Sequence, residues 1–182
     1  LAVPGCSPQK EPEPEGTPLS LVIDCEANRK DEAAAVAAQL RDIGIQAEAR
    51  IWEWSAMKAE FMAGNRQMYM TDWGSAYFDP FDLVIPKLRT GGRGNYSFYS
   101  NPEFDSILDQ ATTATDDDTR KDLYYRAQEI LYEDVPWVFG YYLKETAAAS
   151  SKVGNWEVAM DSRINLHDVT LEGSDTITVG LG

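Results

Sequence analysis

Leu19-Ser20-Leu21-Val22-Ile23-Asp24 is a compact apolar run that ends on an acid, the pattern of a buried strand. In residues 31–43, Val36, Leu40 and Ile43 stand at i, i+4 and i+7, which puts them on one face of a helix. Gly44 supplies the left-handed residue that ends such a helix. Beyond it, Ile45, Ala47, Ala49 and Ile51 alternate with Gln46, Glu48 and Arg50, the period of two that marks a strand. Ser55 is placed to cap a short helix over 56–63, closed by Gly64, and residues 67–73 read as a third strand. Strand, helix, strand, helix, strand at these spacings is two crossover units. A parallel sheet follows, and the fold class is α/β.

Outward from this stretch the chain changes character. Residues 1–18 hold Pro4, Pro8, Pro12, Pro14 and Pro18 mixed with Glu11, Glu13 and Glu15, an extended arm that neither helix nor central strand accommodates. The apolar piece before Cys6 is too short for the core of a signal peptide, so a start inside a longer protein is the better reading. The second half is mainly helical. Asp79-Pro80 and Asn101-Pro102 each pair a cap with proline at the first helical position. Phe104, Ile107, Leu108 and Ala111 form one apolar stripe. Asp116, Asp117 and Asp118 open the longest helix, with Leu123, Ala127, Ile130 and Leu131 on its buried face. Pro136 stops it, and 137–143 reads as a further strand. The expected organisation is an arm over 1–18, an α/β lobe over 19–150 and a weakly patterned C-terminal segment over 151–182.

Composition narrows the chemistry. The 182 residues carry 16 basic and 30 acidic side chains, a formal charge of -14, which disfavours contact with nucleic-acid phosphates or anionic lipid. No apolar run approaches the roughly 18 residues of a membrane span. One histidine, His167, and two cysteines, Cys6 and Cys25, exclude most sites built from several such ligands, the common zinc centres included. No metal or cofactor is therefore expected. Cys6 and Cys25 either pair in an oxidising compartment or leave Cys25 as a small buried residue at a strand end. The glycines at 91, 92 and 94 do not sit between a strand and a helix as a phosphate loop requires.

In an open parallel sheet, ligands bind beyond the carboxyl ends of the strands. The loop after the third strand is Asp72-Trp73-Gly74-Ser75-Ala76-Tyr77-Phe78-Asp79-Pro80, in which large aromatics flank small residues. A second aromatic loop, Gly91-Gly92-Arg93-Gly94-Asn95-Tyr96-Ser97-Phe98-Tyr99, follows. Two readings stand side by side. Either these loops line a concave site with a few polar anchors, or Trp73, Tyr77 and Tyr99 plug the core. A carboxylate pair, Asp72 with Asp79 or Asp79 with Asp82, beside such aromatics also fits a small acidic glycoside hydrolase. A freestanding interaction module is a third possibility.

The loop from Asp72 to Pro80 resembles the signature loop of the extracellular solute-binding proteins of family 5, the oligopeptide-, dipeptide- and nickel-binding components of ABC importers. Asn95-Tyr96-Ser97-Phe98-Tyr99-Ser100-Asn101-Pro102-Glu103-Phe104-Asp105 resembles the next block, and Tyr125 to Pro136 a third, in the same order. The resemblance covers roughly residues 18–150 and implies the C-terminal lobe of a two-lobed clamp. It also implies a non-enzymatic, extracytoplasmic role, with a lipid anchor on the longer protein as one option. The partners it implies are a peptide or other small-molecule solute, a first lobe of the same protein and an ABC permease in the membrane. By the same resemblance, Trp73, Gly74, Ser75, Ala76 and Tyr77 face the ligand, and Tyr96, Tyr99 and Tyr141 add to the wall. Peptide binders usually place an aspartate at the position of Ala76, where it pairs with the ligand's amino terminus. Its absence leads us to expect a solute that needs no amine anchor, such as a sugar or another polar small molecule.

Overall fold

A computed structural model of the chain describes residues 19–142, 144, 146–159 and 163–180. The arm over 1–18, Cys6 and Leu143 lie outside the described residues. The chain divides into two compact units, Leu1–Asp72 and Trp73–Gly182.

The first unit is a three-stranded parallel sheet in the order β2-β1-β3, with β1 Ser20–Cys25, β2 Gln46–Ile51 and β3 Met68–Met70. Leu21 sits opposite Ala47, Ile23 opposite both Ala49 and Met68, and Cys25 opposite Met70. Because side chains alternate along a strand, Ile23, Cys25, Ala47, Ala49, Met68 and Met70 share one face. Helix α1, Lys30–Asp42, covers that face with buried Ala33 and Ala37 and half-buried Val36 and Leu40. The small alanines let the helix backbone come close to the sheet. The expected stripe is thus shifted: Ile43 is 73% exposed, since it stands at the helix end, just ahead of Gly44 at φ 90. Cys25 is a free, buried thiol, and burial with the neighbouring Asp24 charge raises its pKa, so it stays protonated.

Helix α2, Trp54–Met62, serves the opposite face. Its Phe61 is buried and stacks on Tyr69 at 4.2 Å between ring centroids. Ser55 does not cap this helix. The cap position is Glu53, whose side chain makes no capping bond, and Ser55 lies within the first turn. The third strand is also shorter than its pattern suggests, pairing only over Met68–Met70.

The second unit is built on helices α3 Pro80–Leu88, α4 Pro102–Thr113 and α5 Asp117–Asp134. All four residues of the α4 stripe are buried, packed against Tyr124, Ala127, Ile130 and Leu131 of α5 and Leu88 of α3. The caps behave as their residue types demand. Asp79 accepts from the Phe81 amide, Asn101 from those of Glu103 and Phe104, and Asp116 from that of Thr119. The aspartate cluster at 116–118 is therefore a helix start, and no metal-binding group of acids, histidines or cysteines occurs among the described residues. Described residues 137–142 form no strand, so the strand expected there is absent. Val135 ends α5 in the left-handed region at φ 45, and Val138, Phe139, Tyr141 and Tyr142 beyond Pro136 are exposed. A short antiparallel pair, β4 Val153–Gly154 with β5 Thr170–Leu171, lies further on. His167 is at the surface, with 85% of its side chain exposed.

Candidate functional site

The second unit contains a hollow of about 650 Å³ between the loop that opens it and one side of α3. The loop contributes Trp73, Gly74, Ala76 and Tyr77. Helix α3 contributes Phe81 and Asp82, then Ile85 and Pro86 one turn on, then Arg89 at its end. Thr90, Gly91, Gly92 and Arg93 complete the wall. Trp73 is 43% exposed and Tyr77 78%. These two aromatics therefore do not plug the core.

Asp82 holds the loop in shape. One of its carboxylate oxygens accepts from Ser75 Oγ at 2.6 Å and the other from the Ala76 amide at 2.7 Å. Its backbone carbonyl accepts from Trp73 Nε1 at 3.0 Å. Ser75 Oγ in turn accepts from the amides of Tyr77 and Asp79 at 3.3 and 3.0 Å. Within this network Phe78 adopts φ 53, a conformation that a bulky side chain enters only under constraint from its surroundings.

Gly92 seals the far end. A Cβ placed there would lie 2.8 to 2.9 Å from the carbonyl oxygens of Ile85, Pro86 and Arg89, so only glycine fits against the last turn of α3. Asn95 organises the second aromatic loop. Its amide nitrogen donates to the carbonyls of Arg89 and Tyr99, and its oxygen accepts from Ser97 and the Tyr99 amide.

The eight residues named from sequence separate into groups. Trp73, Gly74, Ala76 and Tyr77 come together on the hollow, with Ser75 inside the loop as its internal hydrogen-bonding centre. Tyr96 does not line the hollow; it shares the Lys87 ammonium with Trp73, 5.3 Å from its own ring centroid and 3.8 Å from that of Trp73. Tyr99 packs edge-on against Phe104 and donates its hydroxyl to Asp134 at 2.5 Å. Burial and that bond push the Tyr99 phenol well above its ordinary pKa. Tyr141 is exposed and does not line the hollow. Sequence reading missed the α3 side of the wall, although Phe81, Ile85 and Arg89 recur at i, i+4 and i+8.

The carboxylates weighed for hydrolysis are engaged in holding the scaffold. Asp72 pairs with Arg29 at 3.1 Å, Asp82 is tied to Ser75 and Ala76, and Asp79 caps α3. Asp79 also receives Arg120 at 2.7 and 2.9 Å. Burial alone would raise the Asp79 pKa, but the bonds from Arg120 and the Phe81 amide outweigh it and hold the group below the ordinary carboxylate range. A depressed folded-state pKa stabilises the fold fully above the unfolded value, about 3.9, and that contribution is lost as pH falls through the folded value. The urea-midpoint advantage of the parent chain over Asp79→Asn, which retains a capping oxygen, is therefore expected at pH 6 and expected to shrink below pH 4. An advantage that persists unchanged to pH 2 would contradict the assignment.

No family model matches the sequence. Among curated proteins, the chain is 27% identical over 113 residues to heme-binding protein A of Haemophilus influenzae, covering 61% of this chain and 21% of that one. It is 28% identical over 137 residues to the periplasmic murein peptide-binding protein MppA of Escherichia coli, covering 75% and 24%. Among solved structures, it matches the ABC transporter-associated periplasmic binding protein DppA of Helicobacter pylori, in complex with the peptide STSA. That match has a TM-score of 0.62 and 27% identity, and covers 66% of this chain and 25% of that one. The chain thus spans about a quarter of the length of these relatives, all of which are binding proteins. The three ordered sequence blocks, the parallel α/β unit and these matches agree: the chain is related to the extracellular solute-binding proteins of family 5.

Proposed function

We propose that the chain forms one wall of the substrate-binding component of an ABC importer, outside the cytoplasm, and has no catalytic role. Trp73 and Tyr77, with Gly74 and Ala76 between them, meet a polar small solute, and Tyr96 and Tyr99 support the loops. A second lobe closes over the solute, and the closed form is presented to a membrane permease. One observation carries the reading. The loop whose sequence resembles the family's ligand loop keeps Trp73 and Tyr77 exposed on a hollow rather than burying them in the core. No helix among the described residues is long and apolar enough to cross a membrane.

A single wall shares the solute with its counterpart, so this chain alone binds weakly. Calorimetric titration with Ser-Thr-Ser-Ala, its N-acetylated form and maltose tests the reading. Because Ala76 offers no carboxylate, acetylation is expected to change affinity by less than about two-fold. Trp73→Ala is expected to weaken whichever probe binds by about ten-fold or more, as for a buried aromatic anchor. A large preference for the free amine would overturn the reading of Ala76. Unchanged binding in both Trp73→Ala and Tyr77→Ala would overturn the site.

A further inference from the structure

The loop that opens the second unit is anchored from two different helices. Asp82 of α3 holds its first part, through the bonds from Ser75, Ala76 and Trp73. Arg120 of α5 holds its last residue. A terminal nitrogen of Arg120 donates to both carboxylate oxygens of Asp79, at 2.7 and 2.9 Å, across 41 residues of sequence. The guanidinium lies over the Tyr124 ring, 4.9 Å from its centroid, and that ring is buried in the helical core. The two anchored parts are joined, because the Asp79 amide donates to Ser75 Oγ at 3.0 Å. Ala76 and Tyr77, on the hollow, and Phe78, at φ 53, lie inside the span thus closed. Asp79 needs no arginine to cap α3, since its carboxylate already accepts from the Phe81 amide. Nor does the pair add much to the fold as a whole: its side chains are 30% and 38% exposed, where ion pairs contribute little to global stability.

We propose that Arg120 is a positioning residue of the solute loop. It fixes Asp79, Asp79 fixes Ser75, and Ser75 sets the backbone on which Ala76 and Tyr77 meet the solute. The left-handed turn at Phe78 is unfavourable for a bulky residue and persists because the chain is held on both sides of it. Without the α5 anchor the Asp79 side is free to relax that turn, and solute binding must then supply the ordering. The inference rests on the reading that this loop meets the solute, and it adds the side chain that keeps the loop ready in advance.

Native-state proteolysis reads the loop with no solute present. The 182-residue chain is treated with chymotrypsin, and cuts after Tyr77 and Phe78, both exposed, are timed by mass spectrometry. Cuts after Phe98, exposed in the second aromatic loop, and after buried Phe104 report opening elsewhere and global unfolding. Arg120→Met keeps a long side chain on Tyr124 and removes the charge. It is expected to speed cutting after Tyr77 and Phe78 by about five-fold, the upper size of an exposed ion pair, with far smaller changes at Phe98 and Phe104. Arg120→Lys keeps a cation and is expected to recover most of the parent's protection. In an Asp79→Asn background, Arg120→Met is expected to add nothing, because the route runs through that carboxylate. Titrated with Ser-Thr-Ser-Ala, Arg120→Met is expected to bind about five-fold more weakly than the parent, and Arg120→Lys nearly as well as the parent. Loop cutting unchanged in Arg120→Met, or raised equally at Phe104, would overturn the proposal and leave the solute-binding reading standing. Faster loop cutting with unchanged affinity would overturn it too. The Trp73→Ala titration decides the solute reading separately, and the cutting pattern decides what Arg120 does to the loop whichever way that titration falls.

Discussion

Asp24→Ala is expected to lower the stability of the sheet unit by about 2–3 kcal/mol, less than for a wholly buried ion pair because Arg50 is 40% exposed and stays partly solvated. The carboxylate has no exposed surface. It accepts from Arg50 Nε at 2.7 Å, from the Arg50 terminal nitrogen at 3.1 Å and from Trp52 Nε1 at 2.8 Å, and Arg66 lies 3.5 Å away. The Asp24 bond raises the pKa of Arg50, so the guanidinium stays charged in every condition the fold tolerates. Both guanidiniums stack over Trp52, at 5.3 Å for Arg50 and 4.4 Å for Arg66. Without the carboxylate, two cations share one ring with no anion between them, and Arg66 keeps a second acid, Glu60 at 3.3 Å. Urea unfolding followed by Trp52 fluorescence reads the loss. Asp24→Asn keeps an acceptor for Trp52 and should fall between the parent and the alanine variant. A midpoint for Asp24→Ala equal to the parent's would show that the network contributes nothing.

That network also marks where sequence reading ran out. The apolar run before Asp24 and the alternation from Ile45 to Ile51 were legible, because burial on one face imposes a period that survives in a single sequence. Asp24 itself read as the end of the run. Its partners lie 26 and 42 residues further on, and nothing in a local window links an acid to arginines at such separations. The helix starts at Asp79, Asn101 and Asp116 were legible because a cap needs only a few consecutive residues. Ser55 shows the limit of that rule, since a residue of capping type at the second position of a helix satisfies the same pattern. The strand expected over 137–143 was suggested by a run of apolar and aromatic residues, but a strand also needs a neighbour to pair with. The aromatic loop was found from its composition. The resemblance named Trp73 and Tyr77 as facing a ligand, whereas composition alone left open whether they plug the core, because exposure depends on bonds such as those Asp82 accepts from Ser75 and Ala76, which tertiary structure alone reveals.

Phe104→Ala is the other large expected loss, about 3–5 kcal/mol for an aromatic side chain removed from a closed core. Phe104 has no exposed surface and sits among Leu88, Leu108, Ala127 and Ile130. Its effect should reach the site by a traceable route. Leu88 belongs to the same core, and Val84 and Ile85 pack against it, so the cavity left by the ring loosens the support of α3. Ile85, Pro86 and Arg89 on that helix form a side of the hollow. Tyr99 loses its edge-on partner as well, and with it part of the support for its bond to Asp134. The helical circular dichroism signal should therefore collapse at lower urea, and titrated solute affinity should fall even at urea concentrations where the variant remains folded. Phe104→Leu, which leaves a smaller void, should lose less than half as much stability and keep most of the affinity. If Phe104→Ala loses stability while solute affinity in the folded state stays at the parent's value, the helical core does not brace the hollow, and the loop network centred on Asp82 shapes the site by itself.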